Sequence, residues 1–179
     1  LGVIGFTEPN TTSDNLTLTD ANSQTIHQVN YTTDWYRDAI KAQGGWTLEM
    51  IDTNNPCTGA ENWRASVATI GGTPNAQNSV KASNPDQTMP DLVHLEVINP
   101  TTIQAFFSEP LSRTTSTSNF TINNGIAQPT NANVLSPNFT SVVLSLSTPL
   151  QNGTLYELSV NAQTDCVGNA VGLHNTANF

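Results

Sequence analysis

The chain has 179 residues, of which 36% are hydrophobic and 11% charged, with 5 basic side chains against 14 acidic ones and a net charge of −9. That length suits two domains of ~80–100 residues. So few cations argue against a phosphate-backbone interface driven by counterion release, and against a basic helix lying on an anionic membrane.

Uncharged polar residues make up the balance, 26 Thr and 22 Asn. Thr suits half-exposed strands and Asn suits tight turns, so the composition points to a secreted all-β protein rather than a charged disordered tail. No run of about 18 apolar residues is present, so no membrane insertion is expected. A start at Leu1 without a basic, apolar leader reads as an excised or processed segment.

In chain order, Leu16 and Leu18 alternate with polar residues, Asp20-Ala21-Asn22 turns the chain, and a second strand runs from Ile26 through Val29 to Tyr31. Asp34 is placed to cap a short helical turn, with Tyr36 and Ile40 on one face and Gly44-Gly45 ending it. Trp46, Leu48 and Met50 then alternate as the clearest inward face of this half, which leaves Glu49 on the solvated side. Trp63 follows in a turn-rich region that runs to Gly71-Gly72-Thr73-Pro74.

Residues 73–90 hold Pro74, Pro85 and Pro90 among Asn, Gln, Ser and Lys, with almost nothing apolar. Proline fixes φ, removes a donor and keeps its predecessor out of the helical region, so the stretch reads as an extended linker. The expected organisation is a first domain over residues 1–80, a linker over 81–90 and a second domain over 91–179.

The second half alternates more clearly. Val93, Leu95 and Val97 precede a turn at Asn99-Pro100, and Ile103, Ala105 and Phe107 run up to Glu109-Pro110. Phe120 and Ile122 end at Asn123-Asn124-Gly125, a hairpin-type turn sequence. Val142, Leu144 and Leu146 stop before Pro149, Tyr156, Leu158 and Val160 follow, and a last strand ends at Phe179. About seven short strands with turn signals between them describe a sandwich. Tyr156 opens a late strand just after a loop, where a tyrosine corner would bond back to upstream backbone; an ordinary core tyrosine is the other reading.

Cys57 and Cys166 stand in turn segments with 108 residues between them. They are either a disulfide tying the halves together or two unrelated thiols, and pairing requires Cα atoms within about 7 Å. An oxidising compartment, to which the other features point, favours the disulfide.

The segment GGWTLEMIDTNNPCTGAENWRAS, continued by GGTPNAQNS, resembles the C-terminal part of a lamin-tail domain of the bacterial secreted kind. Trp46, Asn62-Trp63 and Gly72-Thr73-Pro74 occur in that family's order, and LTLTDANSQTIHQVNY is similar to its paired strands. The likeness covers roughly residues 1–80 and departs at the start, where the opening strands are missing or reduced to residues 1–6. Residues 91–179 resemble bacterial Ig-like domains through Phe107-Ser108-Glu109-Pro110 and Asp165-Cys166-Val167-Gly168-Asn169. Together the resemblances imply two Ig-like β-sandwich domains in tandem, acting as spacers or adhesive modules in larger cell-surface or secreted proteins.

Residues able to do chemistry are thinly spread. His27 and His94 fall inside strand patterns, His174 lies in a turn, and no nucleophile motif or Cys-x-x-Cys spacing occurs. Glu49, Glu96 and Glu109 each read as solvated residues. Calcium could be held by Asp14, Asp20 and Asn22, by Asp52, Asn54 and Asn55, or by Asp165 and Asn169. The same residues favour tight turns without any metal, and that is the better reading at each place. Asn-x-Ser/Thr sequons occur at Asn10, Asn15, Asn30, Asn119, Asn138 and Asn152, and are silent in a bacterial protein.

The function expected from this reading is a non-catalytic structural or adhesive module of a larger secreted or cell-surface bacterial protein. It would need no cofactor, and its partners would be other domains of the parent protein and a surface polysaccharide or protein. The alternative is a carbohydrate-binding accessory of a secreted hydrolase, with Trp35, Tyr36 and Trp63 as stacking aromatics. Core packing is the competing role for those three rings.

Overall fold

The computed structural model describes residues 12–179. The expected remnant of an opening strand at residues 1–6 and the Asn10 sequon lie outside the described residues. Eleven short strands and four 3-10 turns make up the regular structure, with no α-helix among the described residues. The chain divides into two compact units, Leu1–Asp86 and Gln87–Phe179.

In the first unit, β1 (Ser13–Thr19) pairs antiparallel with β2 (Thr25–Thr32), Leu16 opposite Val29. The connection follows from Asp20, whose Oδ1 accepts the N–H groups of Asn22 and Gln24, while Ser23 takes a positive φ. A second ladder joins β3 (Leu48–Met50) to β4 (Trp63–Ala65), with Glu49 opposite Arg64.

The helical turn expected after Asp34 is two separate 3-10 turns, Thr33–Tyr36 and Lys41–Gln43. Arg37, at φ 51, breaks the chain between them, and Asp34 makes no cap. Asp38 supplies it instead, its Oδ1 accepting the N–H groups of Ile40 and Lys41. Ile40, expected to share a face with Tyr36, is 78% exposed.

The second unit is a sandwich. One sheet has the order β5-β6-β9-β8, formed by Leu92–Asn99, Thr102–Phe107, Ser141–Ser145 and Asn131–Val134; the other has the order β11-β10-β7, formed by Thr176–Asn178, Glu157–Val160 and Phe120–Ile122. All pairings are antiparallel. Period-2 alternation sends Ile103, Ala105 and Phe107 of β6 inward with Val142 and Leu144 of β9, and the facing sheet contributes Phe120, Ile122, Leu158 and Val160 to the same buried cluster.

The two edge strands of the larger sheet, β5 and β8, depart from the sequence reading. β5 carries irregularities around Val93 and Ile98, and of the alternating Val93, Leu95 and Val97 it is Leu95 that packs on the core, while Val93 and Val97 are exposed. β8, which reads Asn-Ala-Asn-Val, was not among the expected strands; it is an edge strand with half-buried Ala132 and Val134 against the core.

Tyr156 is the corner residue that its position suggests. It is buried, stacks on Phe179 at 5.7 Å, and its hydroxyl accepts the backbone N–H of Gln151 at 3.0 Å.

Truncating Phe120, which has no exposed surface, removes ring contacts from both sheets at once. Phe120→Ala is expected to cost about 3–5 kcal/mol. Val93→Ala, at a position 59% exposed, is expected to stay within about 0.5 kcal/mol of the parent. Urea unfolding of the two variants reads the contrast.

Candidate functional site

Polar and aromatic residues that could serve a site gather in the first unit around β3 and β4. Glu49 corrects the sequence reading most sharply: it is not solvated but 4% exposed. Its Oε1 accepts the Thr73 hydroxyl at 2.6 Å, and its Oε2 accepts both the N–H and the hydroxyl of Ser79 at 2.7 and 2.8 Å. Ser66 Oγ meets Ser79 Oγ behind it at 3.0 Å. Burial pushes the carboxyl's pKa up, but the bonds from Thr73, Ser79 and Ser66 outweigh it and hold the pKa below the ordinary 4.5.

These donors come from the stretch read as an extended linker. Residues 73–84 instead run along the first unit and are bonded to it: Asn78 Nδ2 donates to Met50 O, Ala82 N to Ile51 O, and Asn84 N to Asp52 Oδ2. The approach is close. A Cβ on Gly71 would stand 2.1 Å from Gly45 O, and Gly71 holds φ +86, so only glycine fits there.

Behind β4 lies a polar node centred on Asn62, which is fully buried. Its Oδ1 accepts from Asp52 N and Asn84 Nδ2, and its Nδ2 donates to the carbonyls of Asp52 and Asn55. All four hydrogen-bonding places of the carboxamide are filled. Asp52 Oδ1 takes the N–H of Asn54, and the bonds from Asn84 and Asn54 hold its pKa below the ordinary value.

The three candidate stacking aromatics are all half-buried. Trp35 and Trp63 pack on one another, with ring centroids 6.3 Å apart and planes tilted by 40°. Tyr36 turns its hydroxyl to the Trp46 carbonyl at 3.2 Å. Trp46, not singled out as a ligand residue, carries Lys41 Nζ 4.4 Å from its ring centroid, and the same ammonium donates to Ser66 O at 2.7 Å. Beside it lies an open cleft of about 610 Å³, with Trp46, Leu48, Ile70 and Pro74 on its walls and Glu49 in its lining.

In the second unit, Asp165 is buried, and its Oδ1 accepts the N–H groups of Val167, Gly168 and Asn169 while its Oδ2 accepts Asn169 Nδ2. Gln163, also buried, accepts from Thr115 Oγ1 and Asn119 Nδ2. Glu96 is exposed, and Glu109 is half-buried rather than solvated. Neither Cys57 nor Cys166 is a free thiol.

The histidines are dispersed. His94 stacks on Phe106 at 4.2 Å on the outer face of β5 and β6, and His27 sits half-buried in β2. His174 Nδ1 lies 3.2 Å from Asp91 Oδ2, and the Asp91 backbone N–H donates to the Ser108 hydroxyl at 2.9 Å.

A family model described as the bacterial Ig-like domain matches residues 72–179. No curated protein matches. Among solved structures, the S-layer protein rSbsC is similar at 20% identity with a TM-score of 0.46, over 51% of this chain and 13% of that one. The N-terminal part of the bacterial S-layer protein SbsC is similar at 19% identity with a TM-score of 0.45, over 51% of this chain and 24% of that one. The chain thus spans less than a quarter of the length of both matched S-layer chains.

Because the Glu49 pKa is lowered on folding, the unfolded state takes up a proton there at higher pH than the folded state does. Its stabilisation is therefore complete above the unfolded value and is lost as pH falls through the folded one. Stability of the first unit is expected to drop as pH falls from 4.5. Glu49→Gln should flatten that dependence and cost about 1–3 kcal/mol at pH 7, because Thr73 and Ser79 lose a charged acceptor. Thermal unfolding across pH 3–7 checks both.

Proposed function

Since the chain belongs to the bacterial Ig-like domain family by its match over residues 72–179, we propose that it is a non-catalytic structural module of a larger secreted or cell-surface bacterial protein. One observation carries this reading: the buried side chains of Glu49, Asn62 and Asp165 are committed to holding the fold. Glu49 fastens residues 73–79 to β3, Asn62 closes the node behind β4, and Asp165 ties its own loop. Active sites depend on buried groups that face a substrate with binding capacity to spare. The packing of Trp35 on Trp63, and the engagement of the Tyr36 hydroxyl by backbone, support structural roles for the aromatics as well.

Within this reading residues 1–80 are lamin-tail-like. The family-like residues lie on or beside the β3–β4 pair: Gly72 packs on the Thr47 side chain, Thr73 bonds Glu49, and Asn62 is buried just before β4. Cys57 and Cys166 pair with each other, closing a long loop in an oxidising compartment. Closing a loop of about 100 residues limits the unfolded chain and adds up to about 4–5 kcal/mol in the loop-entropy account.

A panel of glycoside, peptide and ester substrates, with and without calcium, is expected to show no turnover. Turnover removed by Glu49→Gln or His174→Ala would overturn the structural reading. Non-reducing peptide mapping is expected to recover Cys57 and Cys166 in one linked pair, and two separately alkylated thiols would contradict the pairing.

A further inference from the structure

The chain contains two Asn-Gly steps, Asn124-Gly125 and Asn152-Gly153. Both are exposed and both lie in turns of the second unit. Glycine after asparagine leaves its backbone nitrogen unhindered, so each step can in principle close a succinimide. The structure treats the two differently.

Asn124 is held. It takes φ 52 and Gly125 φ 86, the pairing that a type I′ turn requires. Its Nδ2 donates to Leu155 O at 2.8 Å, and the preceding Asn123 accepts Glu157 N on Oδ1 at 2.9 Å. Asn123 N also donates to Glu157 O. The carboxamide is therefore drawn towards residues 155–157, away from the following peptide nitrogen.

Asn152 is not held. Its turn is closed by one long bond, Thr154 N to Gln151 O at 3.2 Å, and Gly153 sits at φ 80. The Asn152 side chain makes no hydrogen bond among the described residues. Its carboxamide can rotate through the geometry in which Cγ faces Gly153 N.

We infer that Asn152 is a site of spontaneous covalent modification, and that the fold protects Asn124 from the same reaction. The Gly153 nitrogen, deprotonated by hydroxide, attacks Asn152 Cγ. The bond from Cγ to Nδ2 breaks and ammonia leaves, forming a succinimide. Water then opens the ring at either carbonyl, giving aspartate or isoaspartate and one added negative charge. The isoaspartyl product routes the main chain through Cβ and Cγ, which puts an extra methylene into the loop that the Gln151–Tyr156 bond braces.

The test incubates the native chain at mildly alkaline pH and follows the two Asn-Gly peptides by mass spectrometry, with a parallel sample in denaturant. In the native sample, conversion at Asn152 is expected to be on the order of tenfold faster than at Asn124, the scale set by losing an anchoring hydrogen bond. In denaturant the two rates should converge, and Asn152→Gln should remove the faster product. Native rates that match, conversion led by Asn124, or a ratio unchanged by unfolding would each overturn the inference. The last outcome would assign the difference to flanking sequence rather than to the fold.

Discussion

Strands of three to eight residues cannot hold a sheet flat and dry by backbone bonds alone. Everything in the second unit depends on two such sheets burying their inward faces against each other. Ile103, Val142 and Leu144 from one side and Phe120, Ile122, Leu158 and Val160 from the other form a single cluster with essentially no exposed surface. Removing water from those faces makes the short ladders stable, and the ladders in turn satisfy the backbone groups that burial strands. Tyr156 and Asp165 fasten loops to that frame with their own hydrogen bonds.

The first unit solves the same problem with different chemistry. Ala65 is the hydrophobic side chain fully buried among its described residues, whereas Glu49, Asn55, Asn62 and Ser66 are buried polar ones. A buried carboxylate is tolerable only with its acceptor sites filled. Glu49 meets that condition by recruiting Thr73 and Ser79, and this requirement pins residues 73–79 along β3. Gly71 then lies where the Gly45 carbonyl passes too close for a side chain, and Gly72 lies against the Thr47 side chain. The charge and the glycines are two sides of one arrangement.

The all-β class and the main strands of the second unit were legible because alternation over Ile103–Phe107 and Val142–Leu146 has one meaning when a sheet has one dry face. The Tyr156 bond was legible too, since its partner lies five residues away. Glu49 was not. The period-2 argument assigns its face to water, and what covers that face comes from 24 to 30 residues later in the chain. β8 was missed because Asn-Ala-Asn-Val, lying at an edge and half-buried, lacks the β-branched density of an interior strand. The Asp34 cap failed for a local reason: Arg37 adopts a left-handed conformation, and Asp38 stands where the next turn begins.

Amide hydrogen exchange tests most directly the claim that the buried polar groups hold the fold together. The account predicts that the N–H groups of Ser79, Asn84 and Asp52, bonded to Glu49, Asp52 and Asn62, and those of Val167, Gly168 and Asn169, bonded to Asp165, exchange slowly although they lie outside or between strands. Exchange at these amides as fast as at unbonded loop positions, with protection confined to the strands, would contradict it.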